Sequence, residues 1–598
     1  VRRKNLLYID DYMEKNKKHE DGLSNIRHSL AHLLAYAVLK KFPEAQLGIG
    51  PVIEDGFYYD FKVSRNFTPE DLAEFEKSMR EFIAKKLPFS AKKLTPAALK
   101  KYLAGQPFKK ELYSDLKKEK AKITFYATGD IFFDLCRGGH VKNTSEIPAD
   151  GFKLDSVAGA YWRGSEKNPQ LQRIYALAFL SKKELDEYIA RREEAQKRDH
   201  RKLGKDLSLF ALVNEIGPGL PLFYPKGALL RRLVENYIIE LQENRGYEPI
   251  WIPHITKGEL YKISGHLDKY DAMYPPMHLK DEADYYLKPM NCPHFMMLYK
   301  TTSHSYRELP IRWTSTTTNY RYEKSGELSG LTRVRSLTQD DCHVFARPDQ
   351  IAEEINLMLD MIAEVYKTFG FNDFWVRIST HDPKNKDKYI GDPKIWKESE
   401  ITLQSLIKSR GWKHEVGVGE AAFYGPKLDF IFKDVLGREW QLSTIQLDMN
   451  LPNRFALEYV DADGKPAQPV VIHRAILGST ERFLGILIEH YGGAFPLWLA
   501  PIQAAILPIA EAHVEYAKKI LGELRGAGIR AELKADNLTL GKRIREAEMQ
   551  KIPYVLVVGG KEMEAQTVAV RSRKSGDLGA KKIEELIQEL QKEVGDKN

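Results

Sequence analysis

Residues 316–345, TTTNYRYEKSGELSGLTRVRSLTQDDCHVF, restrict the possible folds more than any other stretch of the chain. Two strand-like runs flank a loop holding Gly326 and Gly330, which predicts a long antiparallel hairpin. Side chains alternate faces along a strand, so Arg321 and Glu323 share one face of the first run. Arg333, Arg335, Gln339, Asp341 and His343 share one parity on the second. A row of polar and charged groups of that size does not face an apolar core without partners. It is either a solvated sheet face or the wall of a ligand site, and two arginines beside a glycine-containing loop suit a phosphate.

The rest of the chain gives room for several domains. Its 598 residues suffice for roughly three to five at about 100–200 residues each. A formal net charge of +8 accommodates a polyanionic partner without requiring one. Three cysteines, Cys136, Cys292 and Cys342, are too few for a disulfide framework and point to a reducing compartment. No run reaches the roughly 18 apolar residues of a membrane span, and the charged start carries no signal core. We therefore expect a cytoplasmic protein with no membrane partner. Val1 marks either a non-methionine start or a cut.

Residues 1–22 read as an N-terminal extension. Over 23–180, Ile26, Leu30, Leu33, Leu34, Ala37 and Val38 follow a helical period, and Thr68-Pro69-Glu70 forms a helix start. Residues 181–205 are mostly Lys, Glu, Arg and Asp with sparse apolar points at Leu185 and Ile189, which predicts an exposed linker helix. A large α/β block covers 206–497. From 498 to 598, short Val/Ile-rich runs alternate with helical stretches, the pattern of a small mixed α/β domain.

The hairpin segment resembles motif 2 of class II aminoacyl-tRNA synthetases, and RSLTQDDCHVF is close to the form used by threonyl-tRNA synthetases. Phe223–Gly227 with the helix after it and Gly246–Pro253 resemble motif 1, the dimer element. LKPMNCPH at 287–294 is similar to the family's threonine-site strand, and HRAILGSTERF at 473–483 to motif 3. The resemblance implies an α+β and α/β multidomain chain: editing domain, linker helix, antiparallel-sheet catalytic core and α/β anticodon-binding domain. It implies a homodimer that uses ATP with Mg2+ to join L-threonine to tRNA(Thr), with hydrolysis of mischarged seryl-tRNA. The small N-terminal domain that many members carry ahead of the editing block has no counterpart in these residues. A non-catalytic paralogue acting as an RNA-binding or regulatory protein is the rival reading, and loss of a motif arginine or metal ligand would favour it.

Carried over position by position, Arg321 would hold the α-phosphate and Arg482 the γ-phosphate, with Glu323 and Arg333 framing the nucleotide. Guanidinium forks suit phosphoryl groups because they bind bidentately and stay charged. Gln441, Thr444, Gln446 and Ser479 match further ATP positions; Lys427 and Gln339 join the two arginines as catalytic candidates. Gln441 and Gln446 differ in strand parity, so a bulge or bend must intervene if both face the site. Asp341, Tyr424 and Met290 match threonine-binding positions.

Cys292, His343 and His473 lie 51 and 130 residues apart, which forms no local metal motif. Read alone, they fit a buried thiol and two core histidines better than a metal site, which stays the minor alternative. The family match implies that they ligate one Zn2+ per chain, with an open fourth position for threonine. An apolar pocket separates threonine from isosteric valine by only roughly 10²-fold, whereas a metal demanding an oxygen ligand excludes valine. Serine lacks one methyl, worth ~1–3 kcal/mol, and leaks through. Cys342 falls on the opposite strand face and reads as packing.

A second sieve is therefore expected. His28 and His32 lie at i, i+4 on one helix face, and Asp134–His140 adds Cys136 and His140. By themselves these residues fit a solvated edge or a four-ligand zinc site. The family match implies a metal-free editing site in which His28, His32, Lys110, Asp134, Cys136 and His140 surround the mischarged ester. Gly139 stands where the family usually has proline, which bears on that turn's geometry. In the last domain, Asn537, Glu562 and Arg571 match anticodon-reading positions, with Lys542, Arg543, Arg545, Arg573 and Lys574 nearby. A solvated basic edge is the alternative there.

Overall fold

The computed structural model describes residues 2–121 and 123–597, with side chains from Gly22 onward except at 386. The chain forms two compact units, Val1–Glu193 and Glu194–Asn598.

In the first unit, the apolar stripe expected over 26–38 lies within the helix Arg2–Lys41. Leu30, Leu33, Leu34 and Val38 are buried with Phe57, Tyr59 and Phe61 of the strand Gly56–Lys62. That strand pairs antiparallel with Gln170–Ala178, which pairs in turn with Phe152–Tyr161. A separate three-stranded antiparallel sheet contains Phe89–Lys92, Phe125–Thr128 and Phe132–Leu135. The helix Pro69–Ala84 begins where the sequence indicates: Thr68 Oγ1 accepts from Asp71 N, and the Asp71 carboxylate accepts from Thr68 N at 2.8 Å.

The linker differs from the single helix expected over 181–205. Two helices are present, Lys182–Arg198 and His200–Asp206. Asp199 breaks the run because its carboxylate accepts from Arg201 N at 2.8 Å and so starts the second helix.

The second unit is built on an eight-stranded sheet. The expected hairpin, Ile311–Tyr320 with Ser336–Ala346, supplies the second and third strands from one edge, followed in spatial order by Val470–Ala475, Glu439–Asp448 and Lys427–Lys433, all antiparallel. Thr338, Asp340, Cys342 and Val344 face one side of the sheet, where Cys342 and Val344 join a core closed by the helices Pro225–Glu243, Ile351–Thr368 and Thr480–Tyr491. Gln339, Asp341 and His343 face the other. Pairing stops at Tyr320 and Ser336, so Arg321, Glu323, Arg333 and Arg335 lie in the connecting loop instead of on strands. The hairpin is shorter than its alternating polar row implies because the loop turns back through a short 3-10 helix, Ser325–Glu327.

One bulge matters for function. On Lys427–Lys433, Asp429 and Ile431 are two residues apart, yet their partners Thr444 and Gln441 are three apart. The extra residue supplies the bend that the parity of Gln441 and Gln446 demands. The last hundred residues alternate as expected. Strands Ala504–Pro508, Ala531–Leu533 and Tyr554–Val558 are parallel, Thr567–Ser572 and Gly576–Lys582 add antiparallel edges, and helices Val514–Gly526 and Leu540–Met549 cross between.

Candidate active sites

A cavity of about 270 Å³ opens on the polar face of the eight-stranded sheet. Met290, Asp341 and Tyr424 line it together with Cys292 and His473. Arg321, Glu323, Arg333, Gln339 and Arg482 form another part of its wall, and Gln441, Thr444, Gln446 and Ser479 complete it. Of the residues expected here, only Lys427 and His343 lie off the wall. Lys427 Nζ is held at 2.7 Å by Asp429, and His343 is fully buried.

The cationic end of the cavity is assembled from a loop and a helix start. Ser479 Oγ caps the helix Thr480–Tyr491 by accepting from Arg482 N at 3.2 Å, which leaves a helix N-terminus and a guanidinium at one place. Gly478 precedes it with φ +71°, and a Cβ there would lie 2.3 Å from the Leu442 carbonyl, so only glycine fits. Arg482 Nε donates to Thr332 O at 2.9 Å. Burial, with Arg321 and Arg333 nearby, pulls the Arg482 guanidinium below its ordinary value. Arginines gathered at a helix start suit a polyphosphate. Arg333 clasps Glu323 at 2.8 Å and Glu327 at 2.7 Å, and Arg321 Nε donates to Pro289 O at 3.2 Å.

At the other end the donor atoms of Cys292, His343 and His473 all lie within 4.8 Å of one another, and all three residues are buried. Both ring nitrogens of His343 and Nδ1 of His473 have no hydrogen-bond partner. Orphaned buried nitrogens are costly unless something absent from the chain pairs with them. Burial holds His343 well below its ordinary value, in the neutral form that ligates metal. His473 Nε2 lies 2.9 Å from Asp448 Oδ2, the carboxylate–imidazole pairing that orients a ligand. These features fit a zinc ion.

Several groups that periodicity did not single out support this wall. Asp429, wholly buried, accepts from Ser379 at 2.8 Å, Lys427 at 2.7 Å and Gln441 at 2.7 Å. Asp340 accepts from the backbone of Ile476 at 2.8 Å and Leu477 at 2.9 Å, which ties the hairpin to the approach of the capped helix.

In the first unit, the donors of His28, His32, Cys136 and His140 also lie within 4.8 Å of one another. His28 and His140 stack at 4.1 Å, and Cys136 Sγ lies 3.2 Å from His140 Nε2. Burial lowers His28 and His32 and takes His140 down to about 2, while it pushes the Cys136 thiol up to about 11. All four groups are therefore uncharged near neutrality. Gly138 and Gly139 have φ +90° and +83°, values closed to proline, so the turn is formed by two left-handed glycines. Lys110, expected in this site, is instead exposed, and the preceding residue, Lys109, is buried with Nζ 2.7 Å from Asp134. One step along the helix Pro107–Lys118 turns a side chain by about 100°, which moves Lys110 off that face. Tyr59 and Tyr102 also donate to Asp134.

In the last domain, Asn537 is exposed ahead of the helix Leu540–Met549, and Arg571 is exposed on its strand, 3.5 Å from Glu548. Glu562 instead accepts from Gly559 N at 2.9 Å at a helix start. Arg543 is buried and donates to Lys534 O at 2.8 Å, and Arg573 donates to the carbonyls of Lys551, Ala494 and Phe495. Those two arginines hold the fold and leave the exposed basic edge.

Three stretches of the chain match known protein families. Residues 277–491 match the tRNA synthetase class II core domain (G, H, P, S and T), 503–593 an anticodon binding domain, and 123–175 the threonyl and alanyl tRNA synthetase second additional domain. A threonine–tRNA ligase from Rubrobacter xylanophilus is 49% identical over 93% of this chain and 86% of its own length. The chain belongs to the threonine–tRNA ligase family. Another member, from Gloeobacter violaceus, is 49% identical over 96% of this chain and 93% of its own. The solved RNA binding domain of threonyl-tRNA synthetase from Cryptosporidium parvum is 37% identical, with a TM-score of 0.63 over 66% of this chain and 98% of that one. The class II core and the editing-type domain of this family account for the two cysteine–histidine clusters lying in separate units.

Proposed function

We propose that the chain catalyses ATP-dependent ligation of L-threonine to tRNA(Thr) through threonyl-adenylate, and hydrolyses mischarged seryl-tRNA at its second cluster. The observation that carries this reading is one cavity joining an arginine-rich end to a Cys–His–His end. The threonine carboxylate attacks the α-phosphorus and pyrophosphate leaves. Arg321 and Arg482 offset the charge of the phosphoryl oxygens, Arg333 and Glu323 hold the nucleotide with Gln441, Thr444, Gln446 and Ser479, and Lys427 and Gln339 flank the reacting groups. Positioning and charge stabilisation dominate such a step. Zinc held by Cys292, His343 and His473 supplies, when bound, an open position for the amino and hydroxyl groups of threonine. Asp341 accepts a hydrogen bond from the threonine hydroxyl, and Tyr424 and Met290 shape the rest of that pocket.

In the editing site, uncharged His28, His32, Cys136 and His140 orient water and the ester, and Asp134 with Lys109 fixes the neighbouring strand. Asn537, Glu562 and Arg571 read unstacked anticodon bases. Domain limits near 23–180, 206–497 and 498–598 follow. We read the protein as a cytoplasmic homodimer. Trp251, 79% exposed, lines an apolar hollow with Leu260, Met297 and Leu298 that suits a partner subunit, and no helix among the described residues is long and apolar enough to cross a membrane. Threonine-dependent exchange of pyrophosphate into ATP, run against serine and valine with metal analysis, tests the reading. One zinc per chain and exchange with threonine, weakly with serine and not with valine, are expected; zinc-free active protein or brisk valine activation contradicts it.

A further inference from the structure

Lys288 is wholly buried yet makes no ion pair among the described residues. Its Nζ donates to two neutral oxygens, Thr317 Oγ1 at 2.7 Å and Asn291 Oδ1 at 3.0 Å. Its backbone is fixed as well: Lys288 N donates to His254 O at 3.0 Å and Lys288 O accepts from Tyr320 N at 2.9 Å. Asn291, also wholly buried, donates from Nδ2 to Asp341 Oδ2 at 2.8 Å. The other oxygen of Asp341, Oδ1, lies 3.7 Å from His343 Nδ1, on the side of the Cys–His–His cluster.

Donor inventories fix the direction of this chain. An ammonium only donates, so the carbonyl end of Asn291 must face Lys288; a carboxylate only accepts, so the amide NH2 must face Asp341. Without the lysine, the buried Asn291 carbonyl loses its donor and the amide is held from the Asp341 side alone, so its hold on one carboxylate oxygen loosens. A buried cation with no carboxylate in direct contact is costly, and burial, only partly offset by the charge of Asp341, lowers Lys288 to about 8. Packing alone would be served by an apolar side chain of similar length.

We propose that Lys288 and Asn291 are positioning residues for threonine selection: Lys288 locks the Asn291 amide, which engages one oxygen of Asp341 and leaves the other free for the substrate hydroxyl. This rests on Asp341 reading that hydroxyl, as proposed above. Neither residue touches substrate in this scheme.

The test is pyrophosphate exchange with Lys288→Met and Lys288→Arg, beside Asp341→Asn, each checked for zinc content and thermal unfolding. Lys288→Met is expected to raise the KM for threonine by about tenfold while the KM for ATP stays within about twofold, with zinc still bound. Lys288→Arg, which keeps a cationic donor, is expected to restore most of the threonine KM. In the double variant of Lys288→Met with Asp341→Asn, the lysine effect should largely vanish, since both act through one oxygen. An unchanged threonine KM in Lys288→Met, equal losses for threonine and ATP, or full additivity with Asp341→Asn overturns the relay. If Lys288→Met does not fold, Lys288→Gln with the same readouts decides. Should Asp341→Asn itself leave threonine selection intact, the reading of Asp341 fails first, and the lysine variants separate that result from failure of the relay alone.

Discussion

The two clusters share their ingredients, cysteine and histidine at donor distance, and differ in their surroundings. In the second unit Cys292 and His473 of the triad open into a cavity lined by Arg321, Arg333, Arg474 and Arg482 beside a capped helix start, and His473 is oriented by Asp448. In the first unit four groups pack on one another with the Asp134–Lys109 pair buried nearby. One site sets a buried Cys–His–His triad beside cationic side chains; the other keeps its one cysteine and three histidines uncharged. The difference teaches that cysteine–histidine proximity does not assign chemistry. What assigns it is whether unpaired nitrogens face an anion-binding wall.

Four experiments can break or sharpen this contrast. The largest effect is expected from Arg482→Ala, which should slow threonine activation by about 10²–10³-fold, as loss of a transition-state charge partner does, and leave seryl-tRNA hydrolysis unchanged. Loss of both activities would show that the two sites are not separable. Next, His28→Ala or Cys136→Ala should slow deacylation of seryl-tRNA by about 10²-fold or more with threonine activation intact, measured by accumulation of seryl-tRNA. Clearance at the wild-type rate removes the hydrolytic assignment.

A smaller effect is expected outside both sites. Arg571→Ala should cost about 1–3 kcal/mol in tRNA threonylation, the scale of a base-reading contact, without touching tRNA-free adenylate formation. Equal losses would make this domain a support of the catalytic fold. The smallest effect concerns pH. Because burial lowers His28, His32 and His140, their neutral forms persist as pH falls through the ordinary histidine value of about 6.5, so the deacylation rate should show no ionisation step there. A rate that halves near that pH would mean that these rings are solvated.

Much of this was legible in the sequence where the signal is local. The Thr68 helix start, the hairpin and the strand–helix alternation after residue 500 all depend on neighbours within a few positions. The parity of Gln441 and Gln446 even announced a bulge. Other features had no local signal. Arg321 and Arg333 alternate as strand residues would, but the chain leaves the sheet before reaching them. Lys109 and Lys110 are chemically identical in sequence, and only helix phase separates them. Asp429 and Lys288 each join a near neighbour to distant strand residues, Ser379 and Gln441 for the first and Thr317 for the second, so no periodicity marks them.

The extra residue between Gln441 and Thr444 has a further consequence. On either side of it, the same wall is written in two reading frames of the strand. Substitutions there should grade activity residue by residue. Deleting one residue, Leu442 or Ser443, would instead restore a regular ladder and rotate one half of the nucleotide wall into the core, because a one-residue slip exchanges the faces of every side chain beyond it. This strand therefore tolerates changes of letter far better than changes of length.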